Sequence, residues 1–148
     1  MTLAEKMTTP EKRPQIVTEC VTLVDEEVKS KGGISGLAVK AAYGVVKAVK
    51  PRFVTEVVDS MLDEWIAKLE PFYAEWHADG EKLPLPDALK ARGSELAERL
   101  LEVTDGRAKN AKNASVKKMY QRMRPSAKKH VEDAVPRLGR LVERQVTA

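Results

Sequence analysis

Apolar residues along this 148-residue chain recur at intervals of three and four, the spacing that lines one face of a helix. No stretch alternates apolar and polar residues long enough to build a strand, and the β-branched residues also fall at helical spacing. That periodicity confines the chain to an all-α fold. Proline and glycine then set where helices start and stop.

Ile16, Val17, Cys20, Val21, Val24 and Val28 share one face of a first helix, which Gly32 and Gly33 end. Its start lies either near Thr9 and Pro10, where Thr8 and Glu11 fit a capping box, or at Arg13, because Pro14 disturbs the first turn. Ser35 is the expected N-cap of the next helix, whose Leu37, Ala38, Ala41, Ala42, Val45, Val46 and Val49 form a broad apolar surface. Only Lys40, Tyr43, Lys47 and Lys50 make a polar stripe, so this segment is expected to be the buried central helix. Gly36 and Gly44 would let a neighbouring backbone approach it.

After Pro51, the double stripe Phe53, Val54, Val57, Val58, Met61, Leu62, Trp65, Ile66 and Leu69 is backed by Glu56, Asp59, Asp63 and Glu64. Pro71 suits the first position of a short extension carrying Phe72, Tyr73 and Trp76, which Asp79-Gly80 stops. Gly80, Pro84 and Pro86 mark residues 79–86 as a loop. Another amphipathic helix follows through Leu89, Leu96, Ala97, Leu100, Leu101 and Val103, weakened at Gly93 and closed near Asp105-Gly106. The repeat AKNAKNA reads either as an exposed helix or as a linker. Ser115 and Ser126 are expected to cap two last helices, one with Met119 and Tyr120 inward, the other kinked at Pro136.

Five to six helices with wide apolar faces and short connections predict a compact bundle, some helices kinked at proline. At 43% hydrophobic and 32% charged residues the composition is globular. We expect a single domain over residues 1–148, with helical halves of about 9–78 and 87–146 joined by the loop 79–86. Cys20 alone makes no intrachain disulfide, the N-terminus lacks the apolar core of a secretory signal, and Lys40 and Lys47 interrupt the most apolar stretch. A cytoplasmic location with no transmembrane segment is therefore expected.

Catalytic chemistry finds little to use. His77 and His130 lack the neighbours that complete a metal-ligand set, and KGGISG lacks the lysine and hydroxyl residue of a phosphate loop. Cys20 lies on an apolar helix face, where a thiol behaves as a small hydrophobe. Trp65, Phe72, Tyr73 and Trp76 could line a pocket, but they continue the apolar stripe and read as core. No catalytic, cofactor or metal site is expected.

Charge is the feature with functional content. Residues 1–27 carry a net −3, 28–52 a net +6, 53–106 a net −8 and 107–148 a net +9. Lys109, Lys112, Lys117, Lys118, Arg122, Arg124, Lys128 and Lys129 have no acidic residue between them, and Arg137, Arg140 and Arg144 follow. These eleven side chains are candidate contacts for a polyanion or an anionic surface. The acidic block before them offers the other reading, basic and acidic helices packed side by side.

The stretches TLAEK, TTPEKRP, SGLAVKAAYGVVKAVKP, LEPFYAEW and RPSAKKHVEDAVPRLGRL together resemble a family of small, uncharacterised helical bacterial proteins. The resemblance covers nearly the whole chain and implies a soluble, single-domain bacterial protein. It carries no activity and no ligand, so no functional residue comes with it. The expected function is that of a non-enzymatic helical bundle without a cofactor, working by protein interaction or self-association. The alternative is binding of nucleic acid or another polyanion through the basic C-terminal third.

Overall fold

Helix follows helix along the chain, as the periodicity requires, and no strand occurs among the described residues. The structure is a computed structural model that describes residues 1–147, apart from the side chains of Ser35 and Val116. Seven helices occur among them, more than the five or six expected: α1 (Leu3–Met7), α2 (Arg13–Ser30), α3 (Gly33–Val49), α4 (Phe53–Ala78), α5 (Leu85–Ala91), α6 (Gly93–Lys109) and α7 (Ala114–Thr147).

Two helices are additional: α1, and the one gained where the helix expected through Leu89 and Val103 breaks at Arg92 into α5 and α6. The two expected last helices merge into α7. The signal for α1 is local. Thr2 Oγ1 accepts the Glu5 N–H at 3.1 Å while Glu5 Oε2 accepts the Thr2 N–H at 2.8 Å, a reciprocal capping box written as T-x-x-E. Other boundaries moved for equally local reasons. The 26-residue α4 runs through Pro71, and the 34-residue α7 runs through Pro125 and Pro136, so the expected separate extension and separate last helix do not form. Ser126 instead bonds back to the Met123 carbonyl at 3.1 Å. Asp105 and Gly106 lie inside α6. Asn113 rather than Ser115 caps α7, its Oδ1 accepting the Ser115 N–H at 2.8 Å. Gly32 is the N-cap of α3; the Ser35 side chain expected there lies outside the described residues.

The loop after α4 ends sooner than expected, because Leu85 and Pro86 already belong to α5, whose start suits a proline. Gly80 (φ 87°) supplies the left-handed residue that ends α4, with the Glu81 N–H returning to the Trp76 carbonyl at 3.1 Å.

The chain divides into two compact units. One holds residues 7–63; the other holds residues 1–6 together with those from 64 onward, and the boundary falls within α4. In the smaller unit Ile16, Val17, Val58, Met61 and Leu62 are buried, and Arg13 pairs with Asp59 at 3.0 Å and Asp63 at 2.8 Å. In the larger unit Leu85, Leu96, Val135, Leu141 and Val142 are almost fully buried. The Leu3 N–H donates to both carboxylate oxygens of Glu70, at 3.0 and 2.9 Å, which ties the N-terminus to α4. Phe72, Tyr73 and Trp76 are core, as the continued stripe predicts, while Trp65 is only half-buried, and the Trp76 indole N–H donates to the Leu83 carbonyl at 2.7 Å.

The largest departure is α3. Ile34 is 89% exposed, Leu37 67%, Val45 63% and Val49 80%, so this is not a buried central helix. Gly36 does sit tightly, since a Cβ there would lie 2.7 Å from the Lys31 carbonyl carbon, whereas Gly44 has open space. Met119, expected inward, is also exposed, while its neighbour Tyr120 is half-buried.

Candidate interaction surfaces

Helical geometry turns each residue of α3 by 100° from the last, so its side chains separate into two arcs. One arc meets α2. There the Tyr43 hydroxyl donates to the Asp25 carboxylate, Lys47 Nζ lies 3.2 Å from the same carboxylate, and Val39 and Val46 are half-buried. The hydrogen bond from Tyr43 holds the Asp25 carboxyl below its ordinary range, followed by the contribution of Lys47. Burial, with Asp25 second, raises the Tyr43 phenol.

The opposite arc, about 160° wide by this geometry, holds Ile34, Leu37, Ala38, Ala41, Ala42, Gly44, Val45, Ala48 and Val49. Every one of them is exposed, and no charged residue lies among them. The amphipathicity of α3 is therefore turned inside out. Tyr43 and Lys47 of its polar stripe meet the neighbouring helix, Lys40 and Lys50 stay exposed, and its apolar face is open.

The basic residues of the C-terminal third divide just as cleanly. Arg124 lies between two acids of α6, with Nε 2.8 Å from Asp105 and Nη2 3.2 Å from Glu98, and Lys128 Nζ lies 3.1 Å from Glu98. The Tyr120 hydroxyl joins this cluster through Asp105 and meets Thr104 at 2.9 Å. The hydrogen bond from Arg124 is the largest cause that holds the carboxyls of both Asp105 and Glu98 below their ordinary range. Arg107, just before the candidate residues, pairs with Glu64 at 3.2 Å. Part of the basic block thus neutralises the acidic block of its own unit.

The others stand differently. Lys109 ends α6, Lys112 lies in the turn before α7, and Lys117, Lys118, Arg122 and Lys129 are exposed along α7. Lys118, Arg122 and Lys129, spaced four and seven, fall on one outward stripe. Arg140 and Arg144 are exposed further along, while Arg137 is half-buried.

An open groove of roughly 390 Å³ is lined by Glu64, Ala67, Lys68, Glu102, Val103, Gly106, Arg107 and Asn110. Its charges pair across it, Arg107 with Glu64 and Lys68 with Glu102 at 3.8 Å, and it contains neither a thiol nor an imidazole. Among the described residues no three His, Cys, Asp or Glu side chains converge as a metal site would need. Burial pushes the Cys20 thiol up to about 11, the reverse of what an attacking thiolate requires. No described helix is long and apolar enough to cross a membrane.

Over residues 3–146 the chain belongs to a family of unknown function, DUF6918, in accord with the resemblance drawn from its sequence. No curated protein and no solved structure matches it.

Proposed function

We propose that this member of DUF6918 works by docking rather than catalysis, and that the open face of α3 is the surface that meets another polypeptide. The observation behind this reading is the uncharged apolar arc, on which four large aliphatic side chains are 63–89% exposed. Full burial of such a side chain contributes roughly 1.5–3 kcal/mol, so a folded chain that leaves four of them in water keeps that free energy for association. A solvated face would carry the lysines outward; here Lys47 turns toward Asp25 instead.

The test uses a hydrophobic dye such as 8-anilinonaphthalene-1-sulfonate with the full chain at high dilution. Dye binding that the double variant Leu37→Glu, Val45→Glu removes, without loss of helicity or unfolding midpoint, is the expected result. A double variant that melts like a core variant, from a parent that binds no dye, would end the reading.

A second reading rests on a separate observation. Lys118, Arg122 and Lys129 share an exposed stripe, clear of the cluster in which Arg124 and Lys128 are engaged. Such a stripe suits a nucleic acid or another polyanion. Three phosphate contacts predict a salt slope of only about −2.7 in logarithmic terms, hence weak binding that vanishes at physiological salt. Titration with duplex DNA at two salt concentrations decides it, and no binding even at low salt excludes it.

A further inference from the structure

Thr104 meets Tyr120 while Glu98 meets Lys128, so α6 and α7 run antiparallel as a hairpin that turns at residues 110–113. Between Val103 and Val135 no described side chain is fully buried, and polar contacts join the two helices there. From Gly106 to Val131 the hairpin has nine Lys and Arg and no acidic residue. Arg107, Arg124 and Lys128 reach acids elsewhere in the unit. The other six, Lys109, Lys112, Lys117, Lys118, Arg122 and Lys129, are exposed, and none has an acidic partner among the described residues.

What stands beside these cations bears on their partner. At 100° per residue, Lys118, Arg122 and Lys129 fall within about 40° of one another on α7. Tyr120 and Arg124 lie on the opposite side, where they hold the helix to α6. Met119 and Met123 begin about 60° around from Arg122 and are 62% and 51% exposed. Ser115 and Ser126, both exposed, fall between. The outward side of α7 is thus amphipathic, with cations on one flank and two long thioether side chains on the other.

We propose that this side of α7 lies on an anionic lipid bilayer, with Lys118, Arg122 and Lys129 at the head groups and Met119 and Met123 entering the acyl boundary. This rests on the second reading above, in which the stripe is an open cationic surface, and names its partner. Charge is complementary, because the outward stripe is uniformly positive and such a surface uniformly negative. A helix with a basic flank and an apolar flank lies in the interface instead of crossing it. Methionine suits a fluid apolar partner, since its unbranched thioether adapts to irregular surroundings.

A nucleic acid satisfies the cations alone. Tyr120, the one aromatic side chain between residues 104 and 134 that could stack on a base, is half-buried, and its hydroxyl is committed to Asp105 and Thr104. Phosphates also give the two methionines nothing apolar to cover them.

Co-sedimentation of the full chain with phosphatidylcholine vesicles, with and without phosphatidylglycerol, tests the proposal at two salt concentrations beside the duplex DNA titration. Binding is expected only where phosphatidylglycerol is present, and weaker in salt. Each Lys or Arg near such a surface strengthens binding roughly fivefold, so the triple variant Lys118→Gln, Arg122→Gln, Lys129→Gln should weaken it about a hundredfold. The double variant Met119→Gln, Met123→Gln should weaken it about tenfold and leave the weak binding of duplex unchanged. All five side chains are exposed, so helicity and unfolding midpoint should match the parent.

Duplex binding without vesicle binding, or vesicle binding indifferent to the methionines, overturns the bilayer and leaves the cationic stripe standing. Absence of binding to both loses the stripe itself. Vesicle binding that Leu37→Glu, Val45→Glu abolishes and the α7 variants leave unchanged belongs to α3 and overturns the proposal as well.

Discussion

Gly139 of α7 lies against Pro86 of α5 so closely that a Cβ built on it would sit 2.6 Å from the Pro86 Cα. The obstruction is backbone, which cannot rotate aside as a side-chain end could. Gly139→Ala must therefore separate the two helices, at an expected cost of about 1–3 kcal/mol. Gly106, inside α6 with open space around its Cα, is the control: Gly106→Ala should stabilise by roughly 0.5–1 kcal/mol. Urea unfolding of the two variants should shift in opposite directions.

Arg124 links part of the larger unit's stability to pH through Asp105 and Glu98. It holds the Asp105 and Glu98 carboxyls below their ordinary range, so the folded state binds fewer protons than the unfolded one near those values. The stabilisation is complete above the unfolded carboxylate range, near pH 4, and is lost as pH falls through the lower folded values. Arg124→Gln should cost about 1 kcal/mol at pH 7 and flatten the stability profile below pH 4. Thermal melts from pH 2.5 to 7 give both quantities, and an unchanged acid limb in the variant would count against this role.

Two leucines with the same helical periodicity should behave as opposites. Leu96 in α6 has no exposed surface, and Leu96→Ala should destabilise by about 2–5 kcal/mol. Leu37 in α3 is two-thirds exposed, and in the dilute chain Leu37→Ala should stay within about 0.5 kcal/mol of the parent. Denaturation of both at low concentration separates a core residue from a docking residue.

Cys20 should be a slow thiol. With its ionisation pushed up to about 11 by burial, only about 0.1% is thiolate at pH 8. A disulfide reagent should label the folded chain far more slowly than the chain in urea, and the folded rate should rise steadily between pH 8 and 10.

Helical spacing carried most of the secondary structure because it is a local property. Ile16 with Val17, and Leu96 with Leu100 and Leu101, read as buried faces and are buried. The α1 capping box was equally legible, in Thr2 and Glu5, but its short helix lacks the length that periodicity needs. Pro71 and Ser126 misled, because each marked a boundary where the helix runs on. A proline removes one donor, yet α4 continues through Pro71, and α7 through Pro125 as it does, in keeping with the expectation, through Pro136.

By itself the amino-acid sequence determined that the chain is helical, the apolar stripes of its longer helices and the alternation of charge along the chain. Only the tertiary structure decided which faces are covered and which charges meet. Leu37 and Leu96 have the same pattern, because spacing reports an apolar stripe and not what lies across it. Arg124 and Lys118 look alike in a basic run, and only the position of Asp105 and Glu98, within about 3 Å of one and not the other, separates a neutralised cation from an open one. Burial and ion pairing are settled by distances between residues far apart in sequence, and α3, which turns Tyr43 and Lys47 toward α2 while its apolar side is exposed, shows how far that can depart from a local reading.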